Sequence, residues 1–266
     1  MIYNVGEMPH CMGILIKYID RRLNVNRIAL MVLRNFWRVP GLYWKLCHYA
    51  RHNDKYPREE MYRHCQHVFK LGVKSGNINL KIYGQENIPK ENGFLIYSNH
   101  QGLFDILALA ASCDVPWGAV LKKELYKIPM VHQMALCTHS YPMDREDVRQ
   151  SMKVIQSVIK EVEQGNNYLI FPEGTRSRKG NEMLEFHSGS FKCALKTKCP
   201  ILPMALVDCF KVLDQKGSKQ VDVQIHYLKP IYYEEYKDMN TTQLANYVRS
   251  KIENTVKEYS QKSDKN

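Results

Sequence analysis

The sequence of 266 residues lacks long apolar runs, and this absence argues against a membrane-spanning helix. No run approaches the roughly 18 apolar residues that such a helix needs. The short apolar run from Met12 to Ile16 has neither the length nor the flanking residues of a cleaved signal peptide. We therefore expect a protein that neither spans a membrane nor is exported through such a signal.

Paired cysteines are also missing. The eight cysteines are scattered without a C-x-x-C pair, and several lie in apolar segments, as reduced core thiols do. This pattern indicates a reducing, cytosolic compartment. Four histidines and one cysteine could surround zinc, but the paired spacings of structural zinc sites are absent, so no metal site is predicted. These five residues are His48, His52, His64, Cys65 and His67.

Low-complexity tracts are absent too, and 44% of the residues are hydrophobic, so the chain can bury one large core with a small appendage. Acidic residues are fewer than basic ones. Lys and Arg outnumber Asp and Glu by 38 to 27, which gives a net charge of +11. This excess favours a polyanionic partner: nucleic acid, anionic lipid, a phosphorylated substrate or an acidic carrier protein.

Apolar strands and helices alternate from Asn77 onward, which predicts an α/β fold with a mixed, mostly parallel sheet flanked by helices. We divide the chain into an N-terminal helical region, 1–75, and a main α/β domain, 76–266. Helices are predicted over 57–72, from Asp144 as N-cap to Gly165 as stop, and over 241–259. The predicted strands are Leu80 to Tyr83, Phe94 to Tyr97, Ala119 to Leu121, Tyr168 to Phe171, Ile201 to Val207 and Val221 to Leu228.

Residues 26–53 predict two amphipathic helices separated by a break at Pro40-Gly41. Arg27, Arg34 and Arg38 are spaced so that they line one helix face, and an apolar arc with tryptophan lies beside them. A basic amphipathic pair of this kind docks a monotopic or peripheral protein on an anionic leaflet, here the cytoplasmic face of the cell membrane. The alternative is an ordinary helical hairpin whose apolar side packs on the main domain.

The polar stretch NHQGLFD at 99–105 joins an apolar strand to an apolar helix, the position at which open α/β sheets bind ligands. On a continuous helix His100 and Asp105 would point about 140° apart. Gly102 tolerates a turn that would let Asp105 reach back to the imidazole. A carboxylate that accepts from Nδ1–H leaves Nε2 as a general base. No Ser or Cys lies between the two residues, so the base would act on a hydroxyl of the substrate.

A blander interpretation of the same stretch is that Asp105 caps helix amides and His100 is a surface residue. A second polar stretch, PEGTRSR at 172–178, also follows a predicted strand. Its arginines offer forked donors and its glycine brings backbone amides close to a ligand, which suits phosphate, although it could be a solvated basic loop. Lys122 and Arg145 are expected at the same edge of the sheet. A general base beside several cations is suited to binding a phosphorylated alcohol.

These stretches resemble the motifs of the lysophosphatidate and glycerolipid acyltransferases. NHQGLFD is similar to their NHxxxxD motif and FPEGTRSR to their second hallmark. Between and after them, in the same order, Met143-Asp144-Arg145 is similar to the arginine motif and CPILPM to the proline-containing one. The resemblance covers roughly 78–208. It departs at Gly102, where many members have Ser, and around 138–140, where a glycine that often precedes the arginine motif is missing.

The resemblance implies transfer of a fatty acyl chain from coenzyme A or acyl carrier protein to the sn-2 hydroxyl of lysophosphatidate, which gives phosphatidate. It implies no metal or redox cofactor. His100 would be the general base, and Asp105 would stabilise its imidazolium form. The acceptor and its phosphate would be bound by Lys122, Arg145, Glu173, Gly174, Thr175 and Arg176.

Other functions stay open at this point. The acceptor could be glycerol 3-phosphate or another lysophospholipid. A lipid-binding scaffold without catalysis would use the same surface, although an intact His100 and Asp105 argue against it. A nucleic-acid-binding protein would also be basic, but the N-terminal positive charges are interleaved with apolar residues, so no nucleic-acid partner is predicted.

Overall fold

The computed structural model describes residues 26–144 and 146–263, except the side chains at 148, 262 and 263. Seven strands form one sheet in the described part of the chain. They are β1 (Ile78–Tyr83), β2 (Leu95–Ser98), β3 (Trp117–Lys122), β4 (Tyr141–Met143), β5 (Asn167–Ile170), β6 (Ile201–Val207) and β7 (Val221–Tyr227). Their order is β1-β7-β6-β2-β5-β3-β4, and only the β6–β7 pair is antiparallel among these neighbours. The predicted mixed, mostly parallel sheet is confirmed.

Helices cover both faces of this sheet. They are α1 (Arg27–Arg34), α2 (Val39–Arg51), α3 (Arg58–Ser75), α4 (Asp105–Ser112), α5 (Pro129–Cys137), α6 (Val148–Glu163), α7 (Lys192–Thr197), α8 (Phe210–Leu213), α9 (Tyr233–Tyr236) and α10 (Thr241–Ser263). Short 3-10 turns occupy Gln85–Asn87, Leu125–Lys127 and Ser188–Phe191. Among the described residues, every helix is too short or too polar to cross a lipid bilayer.

The central strands are buried along their whole length, as expected for a sheet covered on both faces. Side chains alternate across β2: Leu95 and Tyr97 join the core cluster under α6, α7 and α10, whereas Ile96 joins the cluster under α3, α4 and α8. The near-continuous apolar composition of these strands is what made them predictable.

The six predicted strands are present, with ends within two residues of the prediction. The short strand β4 was missed because it has three half-buried residues and contains Pro142. The predicted N-cap of α6 is wrong: Asp147, not Asp144, accepts from the amide of Gln150. Pro40 does not break the N-terminal pair, since it lies in the first turn of α2, where its missing N–H costs nothing.

The domain division at 75/76 stays a prediction. Helix α3 lies on the N-terminal side of that boundary, yet Tyr62 and Val73 pack in the core cluster with strands of the main sheet. The Tyr62 hydroxyl also donates to the carbonyl of Cys113 at 2.8 Å.

The structure reverses the expected roles of two N-terminal arginines. Arg27 is 3% exposed, and its guanidinium donates to the carbonyls of Val212 (2.8 Å), Gly76 (2.6 Å) and Lys219 (2.9 Å). Arg34 donates to the carbonyl of Ser75 at 2.8 Å. These two arginines therefore anchor α1 to the rest of the protein and do not form a lipid-facing stripe.

We expect Arg27→Met to loosen α1, because three carbonyl oxygens then lose a charged donor. A hydrogen bond to a charged group contributes roughly 1.5–3 kcal/mol, so local opening should become about tenfold more frequent or greater. Hydrogen exchange of the α1 amides measures this opening. The matched control is Arg63→Met, which alters an exposed arginine on α3. Equal α1 protection in the two variants would contradict the anchoring role.

Candidate active site

The candidate site lies where β2, β3, β5 and β6 end. These four strands run in the same direction, so the loops that follow them meet at one edge of the sheet. The turn after β2 carries His100, and the loop after β5 carries Glu173 and Arg176. Two hydrogen bonds from backbone amides join these loops. The His100 amide donates to Glu173 Oε1 at 2.8 Å, and the Ser177 amide donates to the His100 carbonyl at 2.9 Å.

His100 and Asp105 form a hydrogen-bonded pair across the turn. Nδ1 of His100 lies 2.7 Å from Oδ2 of Asp105, which is fully buried in the first turn of α4. Because a carboxylate only accepts, this contact puts the ring proton on Nδ1 and leaves Nε2 as the acceptor. The ring stacks on Phe171 with centroids 4.1 Å apart, and 17% of the His100 side chain is exposed. The pair can therefore act as a general base that solvent or substrate can reach.

Asp105 also caps the turn. Oδ2 accepts from the amides of Gln101 (2.6 Å) and Gly102 (3.0 Å) as well as from the imidazole. The structure thus shows the hydrogen-bonded pair, whereas the two amides precede α4 and are not the helix amides of the alternative interpretation. The two amide donors hold the buried oxygen in place, and this oxygen orients the imidazole, which also stacks on Phe171.

Glu173 faces the protein and not the open side of the site. It is 2% exposed; Oε1 accepts from the His100 amide, and Oε2 accepts from the Leu184 amide at 3.0 Å. Burial raises the pKa of Glu173 to about 7, although the two amide donors oppose the rise. The structure therefore gives this predicted acceptor-binding residue a role in holding the backbone of the base.

The next three residues shape the rim. Gly174 has a φ of +67°, and a Cβ there would lie 3.0 Å from the His187 ring, so the turn requires glycine. Thr175 is exposed. The Arg176 guanidinium donates through Nη1 to Asp214 Oδ1 at 2.7 Å, and 26% of its side chain is exposed. Arg176 is thus a partly open cation at the edge of the site.

One predicted cation, Lys122, is not hydrogen-bonded to this group of residues. Lys122 is at the end of β3, which β5 separates from β2, and its side chain is 53% exposed. Its ammonium lies 3.5 Å from Glu124, and the described residues show no hydrogen bond from it to the dyad turn. Arg145 lies outside the described residues.

Polar residues that sequence analysis missed surround the dyad. The Asn99 side chain pairs with the backbone of Leu206 on β6, at 2.9 and 2.8 Å. Gln101 accepts from the Cys209 amide at 2.9 Å and donates to Asn181 at 2.7 Å. Asn99 and Gln101 flank His100, and this position in the sequence could have identified them as residues of the site. Nothing in the local sequence marked Asn181.

The described residues contain no group of three or more His, Cys, Asp or Glu side chains that could hold a metal ion. The histidines considered for zinc have other neighbours. His48 Nε2 lies 2.8 Å from the Tyr56 hydroxyl, and His64 Nε2 lies 3.0 Å from the Leu42 carbonyl.

Comparison with known proteins gives related matches at the level of family and sequence. Residues 79–207 match the family model described as Acyltransferase. The 1-acyl-sn-glycerol-3-phosphate acyltransferase of Borreliella burgdorferi is 29% identical over 180 residues, covering 66% of this chain and 72% of that protein. The enzyme of the same name from Bacillus subtilis is 26% identical over 210 residues, covering 77% and 99%.

The fold is similar to the crystal structure of the 1-acyl-sn-glycerophosphate (LPA) acyltransferase PlsC from Thermotoga maritima. The TM-score is 0.61, and the match covers 93% of this chain and 95% of that chain. At 20% identity, this likeness shows a shared fold.

Glu173 should make stability depend on pH. Its pKa of about 7 lies above the usual 4.5, so between these values the folded protein holds a proton that the unfolded chain has lost. The free energy of unfolding should therefore fall as pH rises through this window. In Glu173→Gln the contribution is absent. We expect the stability of this variant, relative to wild type, to rise by on the order of 2–3 kcal/mol from pH 4.5 to 7.5.

Urea unfolding at several pH values measures both proteins. Glutamine also loses one acceptor for the Leu184 amide, but that cost is independent of pH, so only the change with pH is compared. Parallel curves for the two proteins would show that folding leaves the pKa of Glu173 unchanged.

Proposed function

Because the chain belongs through residues 79–207 to the acyltransferase family and is an O-acyltransferase, we propose that it acylates lysophosphatidate at the sn-2 hydroxyl. The donor is a fatty acyl thioester of coenzyme A or of acyl carrier protein, and the product is phosphatidate. The observation that carries the proposal is the 2.7 Å contact between His100 Nδ1 and Asp105 Oδ2 at a strand end, beside the cation of Arg176. The names of the two relatives support the choice of acceptor.

The chemistry follows from the geometry of the dyad. His100 Nε2 takes the proton of the sn-2 hydroxyl as its oxygen attacks the thioester carbonyl. The tetrahedral intermediate then expels the thiolate, which receives the proton from the imidazolium. Asp105 stabilises that imidazolium and keeps the reactive nitrogen facing the substrate. The acyl chain passes directly between the substrates, since no Ser or Cys lies within the stretch 99–105.

Base catalysis supplies about 10²- to 10⁴-fold of the acceleration. Positioning of the acceptor must add to it, and this is the role we assign to Arg176. A guanidinium has five N–H donors. One of them is used by Asp214, so the others can meet the phosphate oxygens of the acceptor. Lys122 and Arg145 are proposed as further cations around the same phosphate.

The N-terminal helices are proposed to rest on the membrane that supplies the lipid substrate. Arg27 and Arg34 of α1 bind backbone carbonyls of the protein, and large apolar side chains of this region stay exposed. Ile28, Phe36 and Trp44 are 50%, 53% and 69% exposed. Several large exposed apolar side chains within one short segment favour a membrane or protein contact. With the excess of positive charge, this surface suits an anionic leaflet on the cytoplasmic side of the membrane.

Removal of the base should abolish transfer. We expect His100→Ala to lower kcat/KM by about 10²- to 10⁴-fold, because the hydroxyl then reacts without a general base. Asp105→Asn should lose a comparable factor, since an amide cannot hold the required tautomer. Transfer of a labelled acyl chain from either donor to a panel of lysophosphatidate, glycerol 3-phosphate and other lysophospholipids measures this.

The matched control is His67→Ala, an exposed histidine on α3. It should retain wild-type turnover, and His67→Ala and His100→Ala should both show wild-type thermal unfolding. Near-normal transfer by a folded His100→Ala variant would overturn the assignment of the base. A wild-type preference for another acceptor in the panel would replace lysophosphatidate.

The apolar surface should govern membrane binding. The double variant Phe36→Asp and Trp44→Asp should bind anionic vesicles at least about tenfold more weakly, because burying each large apolar side chain contributes roughly 1.5–3 kcal/mol. Flotation with phosphatidylglycerol vesicles measures binding, and added salt should weaken it. Met152→Asp is the control, since Met152 is 58% exposed on α6. Equal losses in both proteins would mean that the N-terminal surface has no special role.

A further inference from the structure

We propose that Asp214 is a positioning residue that holds the Arg176 guanidinium against the turn of the dyad, and that Gly102 lacks a side chain to leave room for it. This inference rests on the proposed function. The carboxylate of Asp214 makes two contacts: Oδ1 accepts from Arg176 Nη1 at 2.7 Å, and Oδ2 accepts from the Leu103 amide at 3.1 Å. One side chain therefore connects the phosphate-binding cation to the turn between His100 and Asp105.

Asp214 reaches this place from a third loop. It is the C-cap of α8, and its amide donates to the carbonyl of Phe210 at 3.2 Å. The loop that follows β6 leads into α8, so the loops after β2, β5 and β6 all meet at this carboxylate. Neighbouring residues alone give no indication of this meeting, because Leu103 and Asp214 are 111 residues apart.

The absence of a side chain at Gly102 leaves the space that the Asp214 carboxylate occupies. Its φ is not in the left-handed region, so its backbone conformation is open to any residue. A Cβ at position 102, however, would lie 2.2 Å from Asp214 Oδ2 and 3.2 Å from the Cα of Phe210. The turn therefore needs glycine for space and not for backbone freedom, which corrects the reason given from sequence. The same contact explains why this chain departs from Ser at that position.

The ion pair is too open to serve mainly for stability. The side chains of Arg176 and Asp214 are 26% and 31% exposed, and exposed pairs add little to folding. Its value is geometric. The phosphate and the sn-2 hydroxyl of the acceptor are a fixed few bonds apart, so the guanidinium must stay at a set distance from His100 Nε2. A free arginine would have to be ordered each time the acceptor binds.

Asp214 could also have the opposite effect on acceptor binding, and the same measurement would detect it. A carboxylate beside the guanidinium could instead compete with the acceptor phosphate and repel it, in which case its removal would strengthen acceptor binding. The two hypotheses predict changes of opposite sign in the same constant.

The deciding variant is Asp214→Asn, in the full chain. Asparagine keeps an oxygen for the Leu103 amide but loses the charge that holds Arg176. We expect the acceptor KM to rise roughly 3- to 10-fold, the cost of ordering one long side chain, with a smaller fall in kcat. The donor KM and the thermal midpoint should stay at wild-type values. The control is Asp114→Asn, another Asp in an ion pair, 3.1 Å from Lys70, in the loop that precedes β3.

A double-mutant cycle tests whether Asp214 acts through Arg176. Arg176→Lys should raise the acceptor KM by itself, because lysine cannot meet two phosphate oxygens at once. Adding Asp214→Asn to it should then change little. Gly102→Ala should imitate Asp214→Asn, and in an Asp214→Ala background it should cost less.

An acceptor KM that is unchanged or lower in folded Asp214→Asn would overturn the inference, as would an effect confined to the donor KM. Failure of the wild-type protein to acylate lysophosphatidate would overturn the proposed function instead. The two failures are distinct, because the first is seen only in a protein that is active on this acceptor.

Discussion

The buried oxygen Oδ2 of Asp105 is the constraint around which the site is built. A fully buried carboxylate is costly unless donors surround it, and here the donors are two amides of the turn and the imidazole of His100. The shape of the turn and the direction of the base are therefore set by the same requirement. The surrounding loops then fasten this turn from outside, through Glu173 on the His100 amide and Asp214 on the Leu103 amide.

The carboxylates around the turn differ in what they accept from, and this difference separates their roles. Asp105 has an imidazole donor, so it can stabilise a positive charge that appears on His100 during reaction. Glu173 accepts only from amides, and its burial raises its pKa to about 7. Asp214 is partly open and faces a guanidinium, so it holds a charge at the rim. The three carboxylates thus hold an imidazole, backbone amides and the Arg176 guanidinium, respectively.

The amino-acid sequence could predict the sheet and the dyad because both depend on residues close together in the chain. Strands such as β6 are continuous apolar runs, and His100 and Asp105 are separated by one turn. It could not predict Asp214, since the contact with Arg176 joins loops that only the sheet order brings together. The lipid-facing position predicted for Arg27 was wrong for a related reason. A helical period shows that residues share a face, but not which face is packed.

The contacts of Arg27 also link the proposed membrane-binding helix to the proposed acceptor site. Its guanidinium binds the carbonyl of Val212 in α8, and Asp214, two residues later, binds Arg176. Helix α1 and the Arg176 guanidinium are therefore both attached to α8 or to its C-cap residue. If the apolar side of α1 rests on the leaflet, as proposed, Arg176 is held at a constant height above it. A lysolipid keeps its acyl chain in the leaflet and its phosphate at the surface, so this height, together with the turn of the dyad, determines which hydroxyl meets His100.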